Sequence, residues 1–325
     1  MSRYLFIRMD RIGDLVLTLP VDQAFPDAQV DWWIPKGLSF VTDHASPKRQ
    51  AREQGREVSF QQFRELLALV RARRYEAAVI FQAPWWVSCL LWLARIPIRV
   101  GVKSKWHSFL FLNRAVRQKR SRSEASELEY NFRLAEAGLK KDLARHSLQL
   151  APSSRDTLNK FGLDQYFVVH PGMGGSALNW PTHHYESLIR ELAGRAEVVV
   201  TGTKADEPYV QPLRERLKDE SRIKWLDQKL SGPELIAVLA GARAIFAPST
   251  GVLHLAASTG QRTVGVFSPV RVQQPKRWGP QGVNTATVMP QVQCPGELSC
   301  LGPACDKFNC METITPNEAL EKMLQ

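Results

Sequence analysis

The chain has 325 residues, 44% of them hydrophobic, which is enough to bury the cores of two domains. Its formal net charge of +11 favours an anionic partner: a nucleic acid, a phosphorylated metabolite or an acidic membrane surface. Charged residues interrupt the N-terminal apolar run, and the most apolar stretch, residues 83–94, is too short to cross a bilayer. We therefore expect neither a signal peptide nor a transmembrane helix, and a cytoplasmic location.

Strand-like and helix-like segments alternate along the first half of the chain, which predicts an α/β protein with parallel sheets. The predicted strands are residues 4–7, 30–34, 77–81 and 98–102. The predicted helices begin at Leu15 and cover residues 60–74 and 84–93. The polar segment 46–59 is predicted to form an exposed loop or a mobile flap.

The same alternation continues in the second half. The predicted strands are residues 166–170, 197–202, 223–227, 244–247 and 263–267, and the predicted helices are residues 185–192, 208–217, 232–239 and 252–258. The polar stretch 150–164 is the predicted linker. We expect two Rossmann-like domains, residues 1–150 and 151–325, that face each other across a cleft.

A charged interruption lies between two apolar segments near the N-terminus, in LFIRMDRIGDLVLTLP (5–20). Asp14 follows Gly13 at the start of a predicted helix, so its carboxylate can cap that helix. It can also act as a general base at the carboxyl edge of the sheet, where open α/β folds bind ligands. A helix N-terminus would keep the carboxylate ionised at neutral pH.

A glycine-rich segment, HPGMGGSALNWP (170–181), follows a predicted strand directly. Gly172, Gly174 and Gly175 would let backbone N–H groups approach a phosphate without interference from a Cβ atom. The spacing matches neither the dinucleotide fingerprint nor the P-loop, and a tight turn explains the glycines equally well.

A second candidate phosphate site is FAPSTGVLHLAAS (246–258). Ser249 or Thr250 can cap the helix that follows, and Gly251 permits close approach to its first turn. His254 lies four residues after Thr250, so both side chains can project from one face. The alternative for His254 is an interior histidine whose hydrogen bonds are satisfied within the protein.

Four of the five cysteines lie close together in sequence near the C-terminus. Cys89, in the apolar stretch, is predicted to be a small buried hydrophobic residue. The other four do not show the paired CxxC spacing of common zinc sites, so a structural metal, free thiols and, less readily in a reducing cytoplasm, disulfides are all compatible with the pattern. The four are Cys294, Cys300, Cys305 and Cys310.

These segments and the tail ending in CMETITP occur in an order that resembles the ADP-heptose:lipopolysaccharide heptosyltransferases of glycosyltransferase family 9. The resemblance implies a GT-B fold, an N-terminal acceptor domain, a C-terminal nucleotide-sugar domain and inverting transfer without an obligatory metal. Asp14 matches the proposed catalytic base. The residues that correspond to the donor site are Gly172, Gly174, Gly175, Ser176, Thr203, Ser249, Thr250, Gly251 and His254.

Two positions depart from the family pattern. Leu178 stands where members usually carry Lys or Arg, and Ser249 stands where they commonly carry Asp. Loss of a cation beside a diphosphate removes a charge-assisted hydrogen bond. Three outcomes follow: a different donor, cations supplied from elsewhere, such as Arg8 and Arg11, or weakened catalysis. A non-catalytic sugar-nucleotide or glycolipid-binding homologue is therefore the alternative function.

Basic residues crowd the segment 99–122 beside Trp85, Trp86, Trp92 and Trp106. Lys103, Lys105 and Arg120, together with Arg8 and Arg11, are the predicted acceptor and phosphate contacts. Such a surface would suit a phosphorylated glycolipid on the inner face of the membrane, where each basic residue contributes about 1 kcal/mol. A solvated charged face is the alternative, and most of these tryptophans are expected in the core. Without a recognition module, a nucleic acid partner is not expected.

Overall fold

The computed structural model describes residues 1–151, 155–175 and 177–325. Its contacts divide the chain into two compact units. Unit 1 consists of Met1–Arg120 and Glu127–Leu148, and unit 2 consists of Ser121–Ser126 and Gln149–Gln325. The assignment of the short segment Ser121–Ser126 to unit 2 was not anticipated from the sequence. The acceptor and donor roles of the two halves, and the cleft between them, stay predictions.

Unit 1 is built on a six-stranded sheet whose neighbouring strands are parallel. The strands are β1 (Ser2–Arg8), β2 (Ala28–Pro35), β3 (Ala45–Ser46), β4 (Gln50–Gln54), β5 (Ala77–Gln82), β6 (Ile98–Val102) and β7 (Arg114–Val116). The helices are α1 (Ile12–Val16), α2 (Ser39–Asp43), α3 (Phe60–Arg73), α4 (Trp85–Leu93), α5 (Trp106–Phe111) and α6 (Glu127–Leu139). The order in the large sheet is β4-β2-β1-β5-β6-β7.

Unit 2 contains a second six-stranded parallel sheet. The strands are β8 (Gln149–Leu150), β9 (Tyr166–Val169), β10 (Glu197–Val200), β11 (Ile223–Trp225), β12 (Ala244–Pro248), β13 (Arg262–Val266) and β14 (Thr285–Val288). The helices are α7 (Asp156–Lys160), α8 (Thr182–Ala193), α9 (Glu207–Arg216), α10 (Gly232–Gly241), α11 (Gly251–Ser258), α12 (Pro275–Trp278) and α13 (Pro316–Leu324). The order in the large sheet is β11-β10-β9-β12-β13-β14.

Both large sheets have the strand order of a Rossmann fold, and the predicted α/β class is confirmed. In each sheet the order reverses beside the first strand, between β1 and β5 in unit 1 and between β9 and β12 in unit 2. The central strands β1 and β12 are buried over most of their length, as expected for a parallel sheet with both faces covered. Ligands in such sheets bind beyond the carboxyl ends of the strands at the point of reversal.

Three local predictions were wrong. The segment predicted as an exposed loop contains β4, which pairs with β2, and Arg49 just before it is buried and binds both carboxylate oxygens of Asp22 at 2.7 and 2.9 Å. An edge strand of polar residues carries no alternating apolar pattern, so hydrophobic periodicity could not predict it. The predicted linker contains α7. The helix predicted from Leu15 is the short α1, followed by a 3₁₀ turn, Leu19–Ala24.

No helix within the described residues combines the length and the apolar character needed to cross a membrane. Helix α4, in the most apolar stretch of the chain, has nine residues. It would span about 14 Å at 1.5 Å per residue, less than half of a bilayer core of about 30 Å.

Candidate functional site

A buried charge network lies at the carboxyl end of β1. The register between β1 and β5 shifts between Ile7 and Arg8, which is the kind of irregularity that redirects a side chain at a strand end. The guanidinium of Arg8 is buried and donates to three carboxylates: Asp10 at 2.7 Å, Glu127 at 3.3 Å and Asp14. The sequence analysis predicted that Arg8 contacts an anionic ligand. That placement is not supported, because the protein's own acids surround its donors.

A second layer holds this network in place. Arg120 donates to the carboxylate of Glu127 and, at 3.3 Å, to the side-chain oxygen of Asn131. Asn131 Nδ2 donates at 3.0 Å to Thr18 Oγ1, which in turn donates at 2.6 Å to the backbone carbonyl of Asp14. Arg120 is therefore also engaged within unit 1, rather than extended toward a ligand as predicted.

Sequence reasoning missed Glu127 and Asn131, which lie more than a hundred residues from Asp14 along the chain. They are four residues apart on α6 and occupy its buried face, among apolar neighbours such as Phe132 and Leu134. Two polar residues on the apolar stripe of an amphipathic helix were the available signal, because buried polar groups require partners.

The network gives Asp14 an unusual proton affinity. The pKa of Asp14 is raised to about 6: burial raises it most, Arg8 and Arg11 lower it, and the neighbouring Asp10 and Glu127 carboxylates raise it. Three carboxylates, of Asp10, Asp14 and Glu127, face the guanidiniums of Arg8 and Arg120, and the exposed Arg11 adds a third positive charge near Asp14. At pH 7 Asp14 is mostly ionised, and it is a stronger base than an ordinary aspartate.

The interpretation of Asp14 as a helix cap was wrong. Arg11 occupies the cap position of α1, and no side chain caps that helix. The side chain of Asp14 instead points to Arg8. Arg11 is exposed and, among the described residues, no side-chain hydrogen bond or ion pair of Arg11 is found, which leaves its guanidinium available to a ligand beside Asp14.

Exposed aromatic residues cluster around α4 and α5, a region called the aromatic surface below. Trp85 and Trp106 are 54% and 60% exposed, with ring centroids 6.0 Å apart. Lys103 Nζ lies 5.0 Å from the ring centroid of Phe109, and Lys105 is exposed beside them. Of the four tryptophans expected mostly in the core, Trp86 alone is buried. The exposed apolar residues of this surface are Trp85, Trp92, Trp106, Phe109 and Leu110.

In unit 2 the two predicted phosphate-binding segments leave neighbouring strands. The glycine segment follows β9 and the segment of Ser249 to His254 follows β12, and the two strands pair through residues such as Val169 and Phe246. The backbone N–H of His170 continues this pairing, donating to the carbonyl of Phe246 at 2.9 Å. The structure therefore brings both segments to the point where the strand order reverses.

The three glycines of this segment are accommodated for different structural reasons. Gly174 and Gly175 have φ of +56° and +71°, a conformation that favours glycine, and open space beside them. A Cβ atom on Gly172 would lie 2.1 Å from the carboxyl group of Asp206, so this glycine makes room for a side chain of the protein. Ser176, predicted in the donor site, lies outside the described residues.

Thr203 and Asp206 form a polar turn beside the glycine segment. The backbone N–H and the hydroxyl of Thr203 donate to Asp206 Oδ2 at 2.8 and 2.7 Å. Asp206 is buried and lies 4.0 Å from the imidazole of His170. Burial lowers the pKa of His170, and Asp206 partly offsets this effect. The hydroxyl of Thr203 thus stabilises the turn rather than being free for a donor. The sequence analysis did not identify Asp206.

Two buried polar atoms at the start of α11 and in its first turns have no hydrogen-bond partner among the described residues. Thr250 is the cap residue of α11, but its side chain makes no capping hydrogen bond. Thr250 Oγ1 and His254 Nδ1 are buried and have no hydrogen-bond partner among the residues that the structure describes. Burial lowers the pKa of His254 to about 4, so its imidazole is neutral at pH 7. Buried polar groups without partners cost free energy, and a bound ligand could supply the missing hydrogen bonds.

Leu178, where the family usually has a cation, packs against the core of unit 2 and lines a cavity of about 180 Å³. Cys294, Cys300, Cys305 and Cys310 line the same cavity, called the cysteine cavity below. All are free thiols, and burial together with the other three cysteines raises the pKa of Cys310.

Comparisons with known proteins agree with this architecture. Residues 63–302 match the family model described as glycosyltransferase family 9 (heptosyltransferase). The chain is 25% identical over 304 residues to a Haemophilus influenzae protein provisionally named a glycosyltransferase, covering 86% of each chain. It is 24% identical over 303 residues to lipopolysaccharide heptosyltransferase 1 of Escherichia coli K12, covering 82% of this chain and 88% of the relative.

The fold is also similar to that of a solved structure, the ADP-heptose lipopolysaccharide heptosyltransferase II of Escherichia coli. The TM-score is 0.78 with 19% identity, and the alignment covers 100% of this chain and 98% of the other. This likeness confirms the predicted GT-B fold class. The family model spans most of the chain, and with it the family and the enzyme class predicted from the sequence motifs are confirmed. The chain is a glycosyltransferase that belongs to family 9, the heptosyltransferase family.

Proposed function

We propose that this enzyme transfers a heptose or a related sugar, with inversion, from a nucleotide donor such as ADP-heptose to a hydroxyl group of a lipopolysaccharide core acceptor. The observation that carries the proposal is Asp14, a partly buried carboxylate at the carboxyl end of β1 whose pKa is raised to about 6. Family membership and the names of the relatives support the donor and acceptor classes.

The role proposed for Asp14 is that of general base. Its carboxylate accepts the proton of the acceptor hydroxyl while the acceptor oxygen forms a bond to the anomeric carbon of the donor sugar. The bond from that carbon to the diphosphate breaks, and its electron pair leaves with the diphosphate. A base works best with a pKa near the working pH, which favours the buried Asp14 over an exposed aspartate. Arg8 holds the carboxylate in place through its hydrogen bond.

The leaving diphosphate is proposed to bind at the start of α11. Free backbone N–H groups of the first turn, Thr250 Oγ1 and His254 Nδ1 would donate to its oxygens, which supplies the partners these atoms lack. A neutral His254 adds a hydrogen bond but no positive charge. Lys204 lies on the turn of Asp206, which packs beside Gly172, and it is exposed. Lys204 is therefore our candidate for the cation that Leu178 does not provide.

The aromatic surface is proposed to contact the membrane that carries the acceptor. Exposed tryptophans favour the membrane interface, and Lys103 and Lys105 would attract anionic lipid. An adjoining groove of about 560 Å³ is lined by residues that include Phe60 and Trp85. The proposal places the protein in the cytoplasm, peripheral on the inner face of the membrane.

Transfer is tested with purified protein, ADP-heptose and a deacylated core acceptor. We expect ADP release with the wild type and a loss of at least about a hundredfold with Asp14→Asn, since general bases contribute about 10² to 10⁴. Asp27→Asn, at an exposed position of unit 1, is the matched control and should retain activity. Equal ADP release by wild type and Asp14→Asn across several donors would exclude the catalytic role.

Titration calorimetry with ADP separates catalysis from binding alone. Leu178 and Ser249 favour a non-catalytic or altered-donor homologue as the second candidate, and tight ADP binding without transfer from any donor would support it. Lys204→Ala should weaken ADP binding about tenfold, the value of one charge-assisted hydrogen bond. Lys218→Ala, at an exposed lysine beyond the end of α9, should not.

Membrane contact is tested by sedimentation with vesicles. The protein should co-sediment with vesicles that contain phosphatidylglycerol and much less with neutral phosphatidylcholine vesicles. The double variant Trp85→Ser/Trp106→Ser should lose most of this binding while its circular dichroism stays unchanged. Equal sedimentation of the double variant and the wild type would argue against the aromatic surface as the contact.

A further inference from the structure

The cysteine cavity has no part in the proposed transfer reaction, yet four cysteine residues line it. We propose that Cys294, Cys300, Cys305 and Cys310 bind one thiophilic metal ion, zinc or iron, through their four sulfur atoms. The site would be structural: it would hold the segment between β14 and α13, residues 289–315, called the cysteine loop below. The proposal does not depend on the transferred sugar or on Asp14.

The cysteine loop has little regular structure of its own. In its 27 residues the described backbone contains two 3₁₀ turns, Gly302–Ala304 and Cys310–Thr313, and neither a strand nor an α-helix. Leu298, Leu301 and Phe308 are each more than half exposed, whereas Met311 and Ile314, buried in the core of unit 2, lie at the C-terminal end of the loop. Ordered loops of this length are uncommon without a functional or stabilising reason. A bound metal would supply the reason.

Three of the four sulfurs already receive backbone hydrogen bonds of one repeated kind. The N–H of Gly296 donates to Cys294 Sγ at 3.4 Å, that of Gly302 to Cys300 Sγ at 3.3 Å, and that of Lys307 to Cys305 Sγ at 3.4 Å. In each case the donor lies two residues after the cysteine. A thiolate accepts such bonds more strongly than a thiol, and hydrogen bonds to sulfur are a recurrent feature of metal-thiolate sites.

The donor set selects the metal. Four soft sulfur ligands in a tetrahedral arrangement favour zinc or iron over magnesium and calcium, which prefer oxygen. Each thiol loses its proton on binding, so loading releases up to four protons per ion, and a divalent ion with four thiolates carries a net charge of −2. Lys307 lines the cavity, and its ammonium group is ion-paired with Asp306 at 3.1 Å.

Metal binding requires the cysteine loop to tighten. Sulfurs around one zinc ion lie about 3.8 Å apart, as follows from a Zn–S distance of about 2.3 Å. Across the described chain, three potential ligand atoms within 4.8 Å of one another occur only at His183, His184 and Glu312, at the surface. No three of the four sulfurs therefore lie mutually within 4.8 Å in the described chain, and metal binding would draw them together around the cavity. Metal loading should accordingly protect the loop from proteases.

The experiment measures metal in the untagged full-length protein, purified with a reducing agent and without chelator. Plasma mass spectrometry should find about one equivalent of zinc or iron per chain. Cys300→Ser and Cys305→Ser should each lower this content at least fivefold. Cys89→Ser, the same chemical change in α4 of unit 1, should leave it unchanged, as should His183→Gln at the surface site.

A second measurement uses wild-type protein, so its result does not depend on whether the cysteine variants fold. Wild-type protein stripped of metal should take up one equivalent of cobalt(II) with the sulfur-to-cobalt charge-transfer bands of tetrathiolate coordination, and trypsin should cleave the loaded cysteine loop at least tenfold more slowly. The proposal is overturned if the wild-type protein contains no metal and binds no cobalt, or if the four cysteines form disulfides. Acid-labile sulfide would also overturn it, because sulfide indicates an iron–sulfur cluster. Loss of the metal in His183→Gln would place the ion at the surface site instead.

Discussion

Replacing Asp14 with asparagine should make the folded protein more stable at alkaline pH while it removes activity. Asparagine resembles the protonated aspartic acid in shape and stays neutral at every pH. The native state favours that neutral form, because burial and two neighbouring carboxylates disfavour the charge of Asp14 more than Arg8 and Arg11 favour it. The ionised base is thus held in the fold at a cost in stability.

The magnitude follows from the proton affinity. The pKa of Asp14 rises from the ordinary value of 3.8 to about 6. A tenfold change in proton affinity corresponds to about 1.4 kcal/mol, so ionisation of Asp14 lowers the free energy of unfolding by about 3 kcal/mol. The sign is fixed because the native state binds the proton more tightly than the unfolded chain. This contribution to stability is therefore complete below about pH 4 and disappears as the pH rises through 6.

Urea denaturation of wild type and Asp14→Asn between pH 4 and pH 8 tests this reasoning. The difference in free energy of unfolding should be near zero at pH 4 and should reach about 2 to 3 kcal/mol in favour of the variant at pH 8. Asp27→Asn should show a difference that does not change with pH. A variant that is less stable than the wild type at pH 8, or a difference independent of pH, would refute the proton affinity assigned to Asp14.

Three further results are expected. The value of kcat/KM should rise with pH through an apparent pKa near 6, because Asp14 must lose its proton before it can accept another; a profile flat from pH 5 to 8 would contradict this. Thr250→Val should stabilise the free protein by about 1 kcal/mol, by removing a buried hydroxyl without a partner, and should weaken ADP binding in calorimetry; unchanged ADP affinity would exclude Thr250 from the donor site. Gly172→Ala should destabilise by about 1 to 3 kcal/mol in urea, since its Cβ would meet the carboxyl group of Asp206, and a neutral result would show that Asp206 moves freely.

The regular parts of the fold were predictable because their strands carry the signal of a buried parallel sheet. Continuous apolar runs such as 77–81 and 244–247 mark central strands. The strand β4 gave no such signal, since a polar edge strand is specified by its partner β2 and by the Arg49–Asp22 contact rather than by its own sequence.

The candidate site was predictable only where local sequence fixes local geometry. The positions of Asp14 after β1 and of Thr250 before α11 follow from strand-turn-helix patterns. The partners of Arg8 did not follow, because Glu127 reaches it from α6 through tertiary packing. A single sequence shows that an arginine is present, but not whether a distant carboxylate neutralises it.

The charge network around Asp14 is contained within unit 1: Arg8, Asp10, Glu127, Asn131 and Arg120 all belong to it. The residues that depart from the family pattern, Leu178 and Ser249, belong to unit 2. With the proposed roles, in which Asp14 is the base and unit 2 binds the donor, substitutions in unit 2 leave the contacts of Asp14 unchanged. The same separation makes the chain a suitable parent for chimaeras, in which unit 2 of another family member is joined to this unit 1; the proposed roles predict a new donor used with unchanged contacts around Asp14.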